Sequence, residues 1–403
     1  MKKQTIFPII PCLLMFCILG SCKSKFDEKE YLTKILNNIE QIKSASYLTT
    51  KSSTMMGDTS TFRTPYNWYV KEFSNPADTA LGVSFGLFYT TDTTKMYYSY
   101  DGNARASIDD DTKTISIDSF KIYRMPFRGV PPPFFNETKG VIQYALTSND
   151  SLATEFHDFG DSLLFRLTIY SDRQVVLRYN RPVTLEAPEG FSVGNQIHEI
   201  WINKTTGLPY RYKNIMAHNV SWEEYSDLQL NKMDIKDFIQ ARYFPADYDI
   251  AVSGQKQTPV EVNLTGKTAP DWTLTDYNNE SFALKDFKSK VLLVQFSGIG
   301  CPPCHASLPF INQLTAEYKD KSLELVRVEC WSDNTDAMKR YCEINDIKYK
   351  FLIKNEEIEK QYNVLAVPIF FILDNNKVIQ KVIRGYAPEI TDKEIKEAID
   401  KLL

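Results

Sequence analysis

One stretch, Val291 to Phe310 (VLLVQFSGIGCPPCHASLPF), limits what this chain can fold into more than any other. An apolar run, Val291 to Phe296, meets the turn Ser297-Gly298-Ile299-Gly300 and then Cys301-Pro302-Pro303-Cys304. That pattern predicts a buried strand, a turn, and a helix whose first turn carries two thiols. Three residues apart on a helix, the sulfurs lie on one face, close enough to bond with little backbone movement. Orphan N–H groups and the macrodipole at a helix N-terminus favour a thiolate. Cys301 therefore reads as the nucleophile, with a lowered pKa and open to solvent, and Cys304, one turn inward, as the resolving thiol. Pro302 and Pro303 suit a first helical turn, where their missing N–H would be orphaned anyway. The pair reads as a redox-active dithiol over a zinc half-site or an inert pair. Zinc would need a second ligand pair, and Cys330 and Cys342, with eleven residues between them, do not supply a second CxxC.

Further residues extend this pattern: Ala269 to Asp276 (APDWTLTD), Pro309 five residues after Cys304, and Val367-Pro368 leading into IFFILD. With them, residues 266–403 resemble the thioredoxin-fold domain of the TlpA/ResA group of membrane-tethered thiol-disulfide oxidoreductases. The resemblance implies an α/β thioredoxin fold, a mixed sheet with helices on both faces. It further implies that Cys301 and Cys304 exchange disulfides with a disulfide-containing protein substrate, in the reducing direction. Electrons would come from a thiol-disulfide electron-donor protein. Pro368 would be cis and pack against the sulfurs, while the backbone of Val367 pairs with substrate and Gly300 helps shape the rim. No cofactor and no metal are expected. Peroxiredoxins share the APDWTLTD entry, but their PxxxTxxC context is absent around Cys301.

Two departures from the family pattern matter. The group usually approaches its dithiol through FWxxWC, and here Phe296 to Cys301 contains no Trp, which predicts a more open and less apolar rim. Thioredoxin carries a buried carboxylate in the preceding strand where this chain has Gln295, so proton exchange at Cys304 would need water or another acid such as Glu329. His305 shares a helical face with Cys301 and as an imidazolium would tune the thiolate. A solvated surface histidine, weakly coupled, is the simpler reading.

The chain of 403 residues is long enough for two or three domains, and its 43% hydrophobic content is that of an ordinary globular protein. A formal net charge of −4 gives no electrostatic footprint for nucleic acid. Lys2 and Lys3 precede an apolar run, Ile6 to Leu19, short for a membrane span, which ends at Leu19-Gly20-Ser21-Cys22. This matches a bacterial lipoprotein signal, with cleavage before Cys22 and lipid on that residue; a plain secretory peptide or an anchor helix is the alternative. Several acyl chains on Cys22 would hold the protein on a membrane in the cell envelope, periplasmic or outer-membrane associated. Lys23 does not look like an inner-membrane retention signal. In an oxidising compartment Cys330 and Cys342 have three possible states: a stapling disulfide, buried thiols, or an auxiliary redox pair.

The expected domains are residues 1–22 as signal and lipidated Cys, 23–250 as a mainly antiparallel β domain with one N-terminal helix, 251–267 as linker, and 268–403 as the thioredoxin-like domain. Apolar residues at helical period over Asp27 to Lys43 give that helix. Alternating runs from Ser46 to about Ile250, parted by polar turns, give a curved antiparallel sheet. Its WINKTTGLPYRYK (Trp201 to Lys213) resembles the turn phrase of LolA/LolB-type half-barrels. Aromatics in such a sheet are core, or line a cleft for lipid or peptide, in which case the protein would be a binding lipoprotein with an accessory redox domain. Met125 to Phe135, rich in proline, is a rigid loop, a lid or a docking segment. Asp109-Asp110-Asp111 reads as a solvated turn, and His157, His198 and His218 lack metal-ligand spacing. In the last domain the order is strand, short strand, strand 291–296, one helix 302–318, strand 323–330, helix 335–345, strand 350–353, helix 356–362, strands 369–373 and 378–383, and helix 392–403.

Overall fold

The computed structural model describes residues 26–121, 129–177, 182–186, 192–253, 263–318 and 322–403. The signal segment with Cys22 and Lys23, Met125 to Phe127, and residues 254–262 of the expected linker lie outside them. Among the described residues no helix is long and apolar enough to cross a membrane.

The first half begins with α1 (Glu28–Glu40), capped by Asp27, which accepts the N–H of Glu30 at 2.9 Å. Strands β1 (Ser44–Met55), β2 (Asp58–Phe62), β3 (Tyr66–Ser74), β4 (Val83–Tyr89), β5 (Asp92–Tyr100), β6 (Arg105–Asp109) and β7 (Thr114–Asp118) follow. Then come α2 (Phe134–Thr147), β8 (Leu152–Asp158), β9 (Ser162–Ile169), a small β10 (Gln174–Val176) and β11 (Val183–Leu185) ribbon, β12 (Gln196–Asn203), β13 (Leu208–Met216), β14 (Asn219–Leu230) and β15 (Asp249–Val252). The large sheet runs β15-β7-β6-β5-β4-β3-β1-β14-β13-β12-β9-β8, with β2 attached to β1. All its pairings are antiparallel except β15 with β7. Leu32, Ile35 and Ile39 of α1 and Phe134, Phe135, Val141 and Ile142 of α2 share one core cluster with residues of β1, β9, β12 and β13. Both helices therefore cover one face of the sheet.

The second helix, α2, departs from the expected single helix. Its N-cap is Pro133, which offers no side-chain acceptor. The sheet supplies the cap instead: Glu72 accepts the N–H of Asn136 at 3.0 Å and the Tyr47 hydroxyl at 2.8 Å, and that hydroxyl accepts the N–H of Phe134 at 3.1 Å. Burial pushes the Glu72 carboxyl up to about 7, although these hydrogen bonds oppose the shift. The proline segment thus leads directly into a buried helix, with Val130 fully buried in a neighbouring cluster.

The second half holds β16 (Thr273–Asp276), β17 (Ser281–Ala283), β18 (Val291–Ser297), α3 (Pro302–Ala306), α4 (Leu308–Glu317), β19 (Leu323–Glu329), α5 (Thr335–Ile344), β20 (Lys350–Ile353), α6 (Glu356–Gln361), β21 (Ile369–Asp374), β22 (Ile379–Arg384) and α7 (Ile390–Asp400). Its sheet order is β17-β16-β20-β19-β18-β21-β22, with β18, β19 and β20 parallel and the rest antiparallel. Alternate residues of β18 serve opposite faces. Val291 and Leu293 pack with Ile311 and Leu314 of α4 and Ile395 and Ile399 of α7, while Leu292, Val294 and Phe296 pack with Trp272, Ile358 and Tyr362. This is the mixed sheet covered on both faces that the sequence predicts. The single helix expected over 302–318 is broken at Ser307, because Pro309 has no N–H to continue the ladder. Leu264 joins this core, and Gly266 and Lys267 pair with Ile379, so the end of the expected linker is already part of the second half.

Two contacts fasten the halves together through the β1–β2 hairpin. Met55 is buried in a cluster with Ile299, Leu308, Met338 and Tyr341 of the second half. Asp58, 6% exposed, accepts a charge-assisted hydrogen bond from Arg340 Nε of α5 at 3.0 Å.

Candidate active site

The C-terminal end of β18 sets the site. All seven of its residues are buried, and the chain then turns through Gly298-Ile299-Gly300 into α3. Cys301 and Cys304 form a disulfide with Cα atoms 5.2 Å apart. Cys301 is the N-cap of α3, and its sulfur accepts the N–H of Cys304 at 3.2 Å. In the reduced state that contact favours charge on Cys301. The sulfur also lies 3.8 Å from the carbonyl oxygen of Val367, and the Val367–Pro368 peptide bond is cis. The structure therefore brings Cys301, Cys304, Gly300 and Val367-Pro368 to one place.

Cys301 is only 2% exposed, against the expectation of an open nucleophile. The rim is also less open than the missing FWxxWC tryptophan suggests. Trp331, just after β19, packs over the turn: a Cβ built on Gly298 would lie 2.4 Å from its Cδ2. A glycine is needed there so that the indole can lie against the backbone. Gly300 is needed for another reason, its φ of +88°, and a Cβ there would sit 3.6 Å from both Met56 Cβ and Arg63 Nη2 of the first half. Nothing near Cys301 in sequence signals either neighbour; Trp331 stands thirty residues on, at the end of the adjacent parallel strand.

Beneath the dithiol, Gln295 is fully buried and donates to Ser307 Oγ at 3.0 Å, and that hydroxyl donates to the Cys304 carbonyl at 2.8 Å. Gln295 thus braces the helix break and offers no ionisable group. Ser307 was not singled out by the sequence; its place beside Pro309 is the only local hint. His305 is half-buried rather than solvated, with Nδ1 3.3 Å from the Tyr341 hydroxyl.

Glu329, the acid suggested by the sequence, is fully buried at the end of β19. Its carboxylate accepts the N–H groups of Ile299 at 2.9 Å, Trp331 at 2.9 Å and Ser332 at 3.0 Å. Burial pushes its pKa up to about 7 despite those bonds and the opposing field of Arg327. The Arg327 guanidinium, also fully buried, stands 5.5 Å and 5.2 Å from the ring centroids of Tyr341 and Phe351. Glu329 acts on the site by fixing Ile299 in the turn that presents Cys301.

Cys330 and Cys342 are free and buried, which settles their three readings in favour of buried thiols. Burial pushes Cys342 up to about 12 and Cys330 higher still, so neither is a nucleophile near neutral pH. Among the described residues no group of three or more His, Cys, Asp or Glu side chains could hold a metal ion. Asp110 is less solvated than a free turn residue, being paired with Lys95 at 2.7 Å and Tyr248 at 2.8 Å. His157 faces Glu155, while His198 and His218 are buried against Tyr212 and the Ser192 carbonyl.

Residues 264–399 match the Redoxin family. The chain is 36% identical over 140 residues to the thiol-disulfide oxidoreductase ResA of Bacillus thuringiensis subsp. konkukian, a match covering 34% of this chain and 78% of ResA. It is 32% identical over 137 residues to the thioredoxin-like protein YneN of Bacillus subtilis, covering 34% of this chain and 78% of YneN. Among solved structures, a putative thiol:disulfide interchange protein DsbE from Chlorobium tepidum is 25% identical, covering 34% of this chain and 96% of that one, with a TM-score of 0.32. Through its C-terminal third the chain belongs to the Redoxin family, as a thioredoxin-fold domain of the ResA-like kind whose CxxC dithiol is that of a thiol-disulfide oxidoreductase.

Proposed function

We propose that this protein is a membrane-anchored, TlpA/ResA-type oxidoreductase that reduces disulfides in protein substrates of the cell envelope. The observation that carries the reading is the Cys301–Cys304 disulfide, held at a helix start beside the Val367 carbonyl. In the reduced protein the Cys301 thiolate attacks one sulfur of the substrate disulfide, forming a mixed disulfide and releasing one substrate thiolate. Cys304 then gives up its proton and attacks Cys301, which closes the internal disulfide and releases the second substrate thiolate. Two electrons pass to the substrate. A thiol-disulfide donor protein restores the dithiol by the reverse exchange.

In this reading Val367 pairs with the substrate backbone, Pro368 and Gly300 shape the groove, and His305 and Gln295 tune the sulfurs. Lipid on Cys22 holds the mature chain at the membrane, residues 23–250 form a LolA-like domain, and residues 268–403 form the redox domain. The reduction potential of the Cys301–Cys304 couple tests the direction, in protein starting after Cys22. A value near or below about −220 mV supports a reductant, and one near about −120 mV makes the protein an oxidant. Metabolic labelling with a palmitate analogue tests the anchor: loss of label in Cys22→Ala is expected, and label retained there would refute it.

A further inference from the structure

We infer that the β1–β2 hairpin of the N-terminal sheet is a wall of the dithiol's substrate site, and that Arg63 on it selects disulfides bearing carboxylates. The inference rests on the oxidoreductase reading and assigns a substrate class to that site.

The hairpin is placed by more than a passing contact. Met55 fills a cluster made by Ile299, Leu308, Ala337, Met338 and Tyr341, which lie around the turn and helices at the dithiol. Asp58 grips Arg340 at 3.0 Å with its own side chain nearly excluded from water, the setting in which a charge pair is least screened. The chain then leaves β2 through Arg63, whose backbone is pinned on both sides: its N–H donates to the Ser53 carbonyl at 3.0 Å, and its carbonyl accepts the Ser52 hydroxyl at 2.7 Å.

These anchors bring the Arg63 guanidinium and Met56 within 3.6 Å of a Cβ built on Gly300, the residue that precedes Cys301. Arg340 is already taken by Asp58. Arg63 is exposed, and among the described residues it makes no ion pair, so its charge stands beside the turn that leads into Cys301. A guanidinium there attracts a substrate whose disulfide is flanked by carboxylates and repels one flanked by amines.

The test compares two small disulfides of opposite charge, oxidised glutathione and cystamine, as oxidants of the reduced full chain in detergent. Neutral iodoacetamide reports the intrinsic reactivity of Cys301. Wild type is expected to react faster with oxidised glutathione. Arg63→Ala should lower that rate roughly 1.5- to 5-fold, the range of an exposed charge pair, while cystamine holds or quickens and iodoacetamide alkylation holds. Arg63→Lys should keep most of the preference, and Arg63→Glu should reverse it. Asp58→Asn, which frees the hairpin but keeps Arg63, should weaken the preference too.

Equal changes with both disulfides and with iodoacetamide would place Arg63 on the thiolate and overturn the substrate role. No change in any rate would overturn the wall. A wild-type chain inert to both disulfides, with Cys301 still alkylated, would instead overturn the oxidoreductase reading and this inference with it.

Discussion

Both carboxylate oxygens of Glu329 accept the backbone N–H of Ile299, at 3.1 and 2.9 Å. The end of β19 thereby holds the turn that leads from the neighbouring strand into Cys301.

A dependence of stability on pH follows. Burial lifts Glu329 and Glu72 from an ordinary 4.5 to about 7. Between those values the native state holds more protons than the unfolded chain. The stability they contribute is complete below about 4.5 and is lost as pH rises through 7. The ceiling is roughly 3 kcal/mol per group. His198, held at about 4 by burial, works oppositely between about 4 and 6.5, so the informative window is pH 6.5 to 8.5. Urea midpoints should fall across that window and fall less in Glu329→Gln and Glu72→Gln; parallel curves for all three proteins would count against the assignment.

The two cysteines should fail in different ways. Cys301→Ser should lose at least about a thousandfold in reduction of a model disulfide, since the hydroxyl is no substitute for a thiolate. Cys304→Ser should keep the first attack and accumulate a mixed disulfide, visible by mass spectrometry of the intact protein. A Cys304→Ser protein that turns over normally would remove the resolving role.

The two glycines of the turn separate strain from collision. Gly300→Ala forces a side chain into φ +88° and should cost about 1–2 kcal/mol in chemical denaturation. Gly298→Ala meets the Trp331 ring at 2.4 Å, but that indole is 58% exposed and can swing away. It should therefore cost less than about 1 kcal/mol while shifting tryptophan emission to the red. The reverse ranking in stability would show that the turn is held differently.

Thiol counting checks the buried pair. Oxidised protein starting after Cys22 should show no fast-reacting thiol toward a water-soluble aromatic disulfide at neutral pH, and two once urea is added, from Cys330 and Cys342. Two fast thiols in the folded oxidised protein would mean that burial does not silence them.

What the sequence revealed and what it hid divide along contact distance. β18 announces itself because each of its residues is buried, so its apolar run is continuous, and CPPC marks the helix after it. α2 was hidden because its cap is Glu72, some sixty residues earlier, while a proline cluster stands where a local capping residue is usually sought. The break at Ser307 is written in Pro309, whose missing N–H outweighs the helical period that runs on either side of it. Closure of the rim was not legible at all: Trp331, Met56 and Arg63 reach the turn only through strand pairing and domain contact.

The burial of Met55 among residues 299 to 351 imposes an order on maturation. A chain emerging from its N-terminus completes the hairpin long before any of those partners exists. Until they arrive, the tip of β1 is an uncovered apolar knob. Premature truncation anywhere before α5 should therefore leave a first domain that self-associates, whatever the state of its own core.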